Sequence, residues 1–175
     1  MCACAANAIK MEDTMLDTFA VLYNPEDNGA DIYAEKDTSS ALLGRFFNGT
    51  ELYMFQWGPE WTYAAVNADW KAVGYIPTEY VAFGDAMEQV TSNTPMVEIT
   101  PVGEEAYAQV YMQAEQPAVI IGKLDAGQRV RLLGWAGEWG LVETDLQDWI
   151  LAGFVQEAEL METGWMAELT GFYYH

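Results

Sequence analysis

Hydrophobic and polar residues alternate along this chain in short runs that are separated by turns. Residues 51–55 alternate strictly, and residues 19–23, 42–46 and 61–66 are rich in β-branched, aromatic or aliphatic side chains. A period of two places one face of a strand in a core and the other at the surface. Turn-forming residues, as at 24–29, interrupt these runs about every eight to twelve residues. The pattern predicts an all-β fold built from short strands.

The pattern occurs twice. The motif Trp-Gly-Pro-Glu-Trp at residues 57–61 returns 78 positions later as Trp-Ala-Gly-Glu-Trp at residues 135–139. Matches upstream of the motif keep the same spacing, whereas downstream a spacing of 74 aligns Tyr75 with Trp149 and places Asp148 at the position of Gly74. A match repeated at nearly constant spacing indicates a tandem duplication.

The duplication divides the chain into two modules of a size that buries only a limited core. We predict a first module at residues 14–85, a polar linker at 86–95 and a second module at 96–156. A short N-terminal segment, residues 1–13, precedes them, and an appendix, residues 157–175, follows.

The N-terminal segment admits three interpretations. Residues 1–8 are small and apolar and end in Ala6-Asn7-Ala8, the A-x-A pattern that precedes signal-peptidase cleavage. They are interpreted as the remnant of a signal peptide, as an alanine-rich terminus without a fold, or as a segment carrying a lipid-anchored cysteine at Cys2 or Cys4.

The appendix carries an apolar stripe. Met161, Trp165, Leu169 and Phe172 recur at spacings of four, four and three. A stripe of this kind normally packs on another surface. It predicts a short helix or an added strand on the second module, with a partner-binding tail as the alternative.

The charge of the chain limits its partners. The chain has 27 acidic and 7 basic residues, a formal net charge of −20. Such a surface repels nucleic acid and anionic lipid, because it offers no counterion release at phosphates. It serves solubility or, alternatively, attracts a cationic partner or loosely binds divalent cations. No apolar run reaches the roughly 18 residues of a membrane span.

Residues for catalysis or metal binding are scarce. The single histidine is His175, and the only cysteines are Cys2 and Cys4. Zinc sites of Cys and His, and nucleophiles activated by His, are therefore not expected. Glu60 and Glu138 flank tryptophans, and we interpret them as hairpin-tip residues rather than as a general acid. The sequence predicts no enzyme, no metal and no cofactor.

Several segments resemble bacterial SH3-like domains. Residues 74–81, Gly-Tyr-Ile-Pro-Thr-Glu-Tyr-Val, resemble the closing G-W-V-x-x-x-Y-[LV] of that family, and also the closing segment of eukaryotic-type SH3 domains. Residues 44–50 resemble the family's hydrophobic turn, and Trp61 its strand tryptophan. The resemblance implies two tandem small SH3-like β-barrels with a C-terminal appendix, in a secreted or cell-envelope protein of bacterial type.

The resemblance also implies a binding function. Residues at the positions of the SH3 groove would form an aromatic groove with an acidic rim. This groove would bind a peptide or a cell-wall glycopeptide, and in one interpretation the ligand is cationic. A structural or assembly role, with aromatic faces buried between modules or between self-associating copies, is the alternative. In the second module Leu151 and Phe154 replace the proline and tyrosine, so weaker or different binding is expected there. The candidate ligand-binding residues are Tyr23, Trp57, Glu60, Trp61, Tyr75, Pro77 and Tyr80 in the first module, and Trp135, Trp139 and Trp149 in the second.

A core follows for each module from the apolar positions of the strands. The first set is Val21, Ile32, Leu43, Leu52, Val66, Ile76 and Val81. The second is Ile99, Val110, Ile121, Val130, Val142, Ile150 and Val155. Trp57 and Trp135 are expected to be exposed to solvent.

Overall fold

A computed structural model describes residues 14–67, 71–146 and 149–170. The predictions for residues 1–13 and for Phe172 and His175 lie outside the described residues. The strands of the first repeat are β1 (Thr14–Leu22), β2 (Ala30–Tyr33), β3 (Leu42–Phe46), β4 (Glu51–Trp57), β5 (Trp61–Val66), β6 (Ala72–Pro77) and β7 (Val81–Ala82). Those of the second repeat and the appendix are β8 (Thr91–Ile99), β9 (Tyr107–Tyr111), β10 (Ile120–Asp125), β11 (Arg129–Ala136), β12 (Trp139–Leu146), β13 (Trp149–Gln156) and β14 (Leu160–Thr170).

The all-β class is confirmed. The strands pair in the order β10-β9-β13-β12-β11-β3-β2-β6-β5-β4-β1-β7, with β8 between β11 and β14. Every pairing is antiparallel, and short 3-10 helices occupy Thr78–Tyr80, Gly84–Gln89 and Glu157–Glu159. The described strands form one open antiparallel sheet with a branch of β8 and β14 at β11, so the finer expectation of two small barrels stays a prediction. No helix in these described parts of the chain is long and apolar enough to cross a membrane.

The two repeats are joined by a strand pairing. Phe46 of β3 lies opposite Gly134 of β11. A side chain at Gly134 would meet the Arg45 carbonyl oxygen at 2.5 Å and the Phe46 Cα at 2.6 Å, so only glycine permits this approach. The buried Thr50 hydroxyl donates to the Leu133 carbonyl at 3.0 Å, across the same boundary.

The buried residues reflect this junction. One cluster joins first-repeat residues such as Phe46 and Ile76 to second-repeat residues such as Leu141 and Phe154. A second cluster is made of second-repeat residues alone. Ten predicted core residues are at most 2% exposed: Val21, Ile32, Leu52, Val66, Ile76, Ile99, Val110, Val130, Val142 and Val155. Leu43, Val81 and Ile121 are half-buried against these clusters.

Ile150 was predicted to be buried, and this is wrong, because the alignment downstream of the tryptophan motif is wrong. Trp139 pairs with Gln156 as Trp61 pairs with Pro77, so the spacing rises to 79 instead of falling to 74. The β12–β13 hairpin is longer by two residue pairs, and its end carries Ile150, which is 58% exposed. Extra pairs at a hairpin end reach beyond the core and leave their side chains in solvent.

The correct register identifies the second closing glycine. Gly153, rather than Asp148, is the counterpart of Gly74. A side chain at Gly74 would meet the Tyr33 carbonyl oxygen at 2.5 Å, and one at Gly153 the Tyr111 carbonyl oxygen at 2.8 Å. Both glycines thus permit the same close approach between strands.

This register makes a testable difference between two neighbouring positions. Gly153→Ala should lower the free energy of unfolding by about 2 to 3 kcal/mol, because the added methyl overpacks the strand crossing. Ile150→Ser should change it by less than about 0.5 kcal/mol, as a substitution at an exposed site. Urea denaturation of both variants measures the difference, and equal losses would contradict the register.

The predicted linker and the described part of the appendix both contain regular secondary structure. Residues 86–95, predicted as a linker, complete the 3-10 helix Gly84–Gln89 and begin β8. β14 pairs with β8 along nine residue pairs with a bulge after Glu162. Of the two structures predicted for the appendix, the added strand is therefore the one observed. Met161 and Trp165 are 47% and 65% exposed on it, so the described part of the apolar stripe is not a buried face.

Candidate functional site

A cleft of about 350 Å³ lies beside the closing segment of the first repeat. Its sides come from the loop after β1, from strands β2 and β3, and from the 3-10 helix after β6. We call it the first cleft. It is lined by Asn24, Asp27, Gly29, Ala30, Asp31, Tyr33, Thr38, Arg45, Pro77, Glu79 and Tyr80.

Two asparagines hold the loop that forms one side of the first cleft. The Asn24 backbone N–H donates to Asn48 Oδ1 at 2.7 Å, and Asn48 Nδ2 donates to the Asn24 carbonyl at 2.8 Å. Both side chains are buried. Asn48 also donates to the Asp27 carbonyl at 3.0 Å. Because buried amides satisfied in this way specify a conformation, the loop presents Asp27 from a fixed position.

Arg45 links two carboxylates of the cleft. Its guanidinium contacts Asp27 at 2.6 Å and Asp31 at 2.9 Å. About two fifths of its side chain is exposed, so solvent screens these pairs and they orient more than they stabilise. The charged part of the first cleft therefore contains a partly neutralised pair of aspartates.

Tyr33 supplies an aromatic side of the cleft. Its hydroxyl donates to Asp31 Oδ2 at 3.3 Å, and its ring packs edge-to-face on Trp61 with centroids 5.9 Å apart. Burial, and after it the negative charge of Asp31, raises the pKa of Tyr33, so the phenol stays a neutral donor. Trp61 thus supports the cleft through Tyr33.

Pro77 and Tyr80 form the opposite, apolar side of the cleft. Pro77 precedes the 3-10 helix Thr78–Tyr80 and Tyr80 ends it, and the first N–H of this helix donates to the Glu60 carbonyl at 3.0 Å. The charge of Glu79, followed by desolvation, raises the pKa of Tyr80. The first cleft therefore brings together two predicted residues, Pro77 and Tyr80, with Trp61 behind Tyr33 and Glu60 at the adjoining turn.

Three other candidates of the first repeat lie elsewhere. Trp57 is half-buried instead of exposed, and its ring packs edge-to-face on Phe83 at 5.7 Å. Tyr23 packs on the cluster of Val21 and lines a second depression, which shares Asn24 and Asp27 with the first cleft. Tyr75 stacks on Tyr63 with centroids 4.9 Å apart. The pairing register of the strands determines where these three side chains lie.

Tyr75 belongs to a row of aromatic rings that the sequence analysis missed. Neighbouring centroids along the row are 5.3, 5.5, 5.6 and 4.9 Å apart. All five rings are half-buried on one face of β1, β4, β5 and β6. The alternation of residues 51–55 contained the signal, because Tyr53 and Phe55 occupy its outward positions. The row consists of Phe19, Tyr53, Phe55, Tyr63 and Tyr75.

The second repeat has a cleft at the equivalent place, of about 270 Å³. We call it the second cleft. Tyr111 replaces Tyr33, and Gln156 and Glu159 take the places of Pro77 and Tyr80. Its lining residues are Glu105, Tyr107, Gln109, Tyr111, Gln116, Gln156 and Glu159.

The second-repeat candidates are divided among three places. Trp139 packs edge-to-face on Tyr111 at 5.3 Å, as Trp61 does on Tyr33. Trp135 is half-buried on the second-repeat cluster instead of exposed, and its backbone pairs with Arg45. Trp149 is 57% exposed at the end of the β12–β13 hairpin, far in register from Phe154, the true counterpart of Tyr75. Of these three tryptophans, Trp139 is therefore the one that contacts a lining residue of the second cleft, Tyr111.

Among residues 14–67, 71–146 and 149–170, no group of three or more His, Cys, Asp or Glu side chains could hold a metal ion. The groups that line the two clefts are phenols, amides, carboxylates and one guanidinium. These groups suit recognition by hydrogen bonds, aromatic contact and charge.

Three solved structures are similar to this chain, each at 12% sequence identity. NlpC2 from Trichomonas vaginalis has a TM-score of 0.36 over 86% of this chain and 49% of its own. NlpC1 from Trichomonas vaginalis has a TM-score of 0.35 over 86% and 48%. An NlpC/P60 family protein from Bacillus cereus has a TM-score of 0.34 over 88% and 57%. The chain spans about half the length of these proteins. Neither a protein-family model nor a curated protein matches it.

Proposed function

We propose that this chain is a non-catalytic binding protein, made of two small SH3-like modules, that binds a peptide or a cell-wall glycopeptide outside the cell or in the cell envelope. The observation that carries the proposal is the first cleft, where the apolar surfaces of Tyr33, Pro77 and Tyr80 adjoin Asp27 and Glu79. Aromatic and proline surfaces provide contact area, and charged groups provide orientation and on-rate.

The two-module interpretation is supported by the repeated pairing around the clefts. The β5–β6 and β12–β13 hairpins pair in equivalent register at their tryptophans, Trp61 with Pro77 and Trp139 with Gln156. Each hairpin is followed by a three-residue 3-10 helix. Equivalent N–H groups at Thr78 and Glu157 donate to the carbonyls of Glu60 and Glu138. Such agreement favours one fold used twice.

The ligand proposed for the first cleft is extended and carries an amine. The cleft has three carboxylates against one guanidinium, and Arg45 already contacts two of them, so the third carboxylate, that of Glu79, favours a positively charged group. A short peptide with a lysine side chain or a free amino group meets both requirements.

The test is cosedimentation with peptidoglycan sacculi. Wild-type protein should be retained, and Tyr80→Ala and Pro77→Ala should each weaken retention about five- to tenfold, as loss of a central aromatic or apolar contact. Sacculi stripped of their stem peptides should retain little protein. Trp149→Ala is the matched control, because it removes an exposed ring outside the first cleft.

Melting curves should show that the cleft variants remain folded. Retention that is unchanged in both variants would overturn the first cleft as the binding site. Retention on stripped glycan alone would move the ligand from peptide to sugar.

Assembly is a second candidate, favoured by exposed side chains on the appendix and the second repeat. Trp149, Met161, Trp165 and Met166 are each close to half exposed or more. Exposed apolar patches mark interaction surfaces when they are contiguous. A stable oligomer in sedimentation velocity, together with no retention on sacculi, favours this role.

A further inference from the structure

The second cleft continues into a neighbouring cleft of about 390 Å³. The two share Gln156, so they adjoin at this side chain. We call the combined surface the aromatic trough. Its lining residues are Glu105, Tyr107, Gln109, Tyr111, Gln116, Glu138, Trp139, Gln156, Glu157, Ala158 and Glu159.

The aromatic trough has a fixed aromatic side. Tyr111 and Trp139 meet edge-to-face at 5.3 Å, and the Tyr111 hydroxyl donates to Gln109 Oε1 at 2.6 Å. Both rings and Gln156 are half-buried, so they are held by the fold and still reachable. Rigid rings with a polar neighbour bind ligands at low entropic cost.

The charge of the aromatic trough differs from that of the first cleft. Four carboxylates line it, those of Glu105, Glu138, Glu157 and Glu159, and none of its described lining residues is Lys or Arg. In the first cleft Arg45 bridges two aspartates, whereas its counterpart Lys123 is not among the residues that line the trough. The residues that line the trough therefore carry more negative charge than those of the first cleft, although Lys123 lies beside them against the Tyr107 ring.

The ammonium group of Lys123 contacts one of the rings that line the aromatic trough, that of Tyr107. Its Nζ lies 3.8 Å from the centroid of the Tyr107 ring, a cation–π contact made within the chain. A ring face flanked by carboxylates attracts ammonium ions through its quadrupole and through charge.

We propose that the aromatic trough binds an ammonium group carried by a peptide, seated against Trp139 and Tyr111 and oriented by Glu138 and Glu159. The sequence-based expectation was weaker or different binding in the second repeat, because proline and tyrosine were thought to be replaced by Leu151 and Phe154. The observed replacements are Gln156 and Glu159, which exchange an apolar surface for a polar and acidic one. This inference goes beyond the proposed function, since it does not require the first cleft to bind anything.

The experiment is a titration of the full chain with a blocked lysine tripeptide, followed by ¹H–¹⁵N NMR. The indole N–H of Trp139, assigned with a Trp139→Phe variant, should shift with saturation in the millimolar range, about 1 to 5 mM. The same tripeptide acetylated at Nε should bind at least about tenfold more weakly, because it lacks the charge. Raising the salt from about 50 to about 300 mM should weaken the lysine peptide about threefold.

Two variants test the assigned carboxylates. Glu138→Gln and Glu159→Gln should each weaken the lysine peptide about three- to fivefold, through loss of one partly screened charge. Glu88→Gln is the control, because Glu88 is an exposed glutamate of the 3-10 helix Gly84–Gln89 that lines neither the first cleft nor the aromatic trough. It should leave the affinity unchanged. Glu138 is exposed at a turn, so its variant should fold even if the Glu159 variant does not.

Three results would overturn the proposal. They are the absence of any shift at about 10 mM peptide, equal binding of the acetylated peptide, and shifts confined to the first cleft. Retention on sacculi, which reports on Pro77 and Tyr80, is a separate measurement. The two proposals can therefore fail independently.

Discussion

Phe46→Ala should lower the free energy of unfolding by about 3 to 5 kcal/mol, the usual cost of truncating a buried phenylalanine. The Phe46 ring has no exposed surface and belongs to the cluster that joins the two repeats. Its strand also pairs with Gly134 of the second repeat. The cavity would therefore lie at the junction, and both repeats should lose stability together in urea denaturation.

Phe83→Ala is the matched control for this prediction. Phe83 is 37% exposed and contacts Trp57 at the edge of the first repeat. Its truncation should cost about 1 kcal/mol, mainly the lost aromatic contact. If Phe46→Ala cost no more than Phe83→Ala, the cluster would not hold the junction.

Arg131→Met should cost about 3 kcal/mol at neutral pH, because it leaves the carboxylate of Glu143 buried without its partner. The two side chains lie opposite each other on β11 and β12, hydrogen-bonded, with about a fifth of each exposed. Arg129→Met is the matched control. Its pair with Glu98 spans 3.6 Å with half of the arginine exposed, so this variant should lose less than about 1 kcal/mol.

The cost of Arg131→Met should depend on pH. Burial raises the pKa of Glu143, and Arg131 partly opposes this effect. In the variant the pKa rises further, so the folded state binds a proton that the unfolded state releases, and stability increases as pH falls through that pKa. The deficit relative to the wild type should therefore be full above the Glu143 pKa of the variant and shrink towards the ordinary glutamate range near about 4.3. Urea denaturation at several pH values measures it, and a deficit that does not change with pH would show that Glu143 is not the group left uncompensated.

Local sequence pattern determined the strands and most of the core of this protein. The alternation at residues 51–55 correctly predicted β4, because a period of two is a property of the extended backbone itself. The tryptophan motif at spacing 78 correctly aligned the hairpins up to Trp139, since duplicated residues keep their roles where no insertion intervenes. Charge and composition likewise need no tertiary structure, and from them we predict a ligand without phosphate groups.

The strand register beyond Trp139 could be read from the three-dimensional fold but not from the sequence. The added residue pairs of the β12–β13 hairpin moved Ile150 from the predicted core to solvent and made Gly153 the closing glycine. A sequence alignment pairs residues with similar side chains, such as Trp149 with Tyr75. The feature that the two repeats share is instead the close approach between strands, which only glycine permits. The alignment by side-chain similarity was therefore wrong in this segment, because the repeats share backbone geometry there.

The candidate site divided in the same way. The closing segment, residues 74–81, pointed to Pro77 and Tyr80, and both line the first cleft. The sequence had no means of placing Asp31, Tyr33 or Arg45 beside them, because strand pairing across the sheet brings these residues together. Side chains alternate between the two faces of a strand, and this alternation is a local property of the chain. The sequence alone therefore specifies which residue types face inward and which face outward. The tertiary structure decided which outward residues become neighbours, because that depends on contacts between segments far apart in sequence.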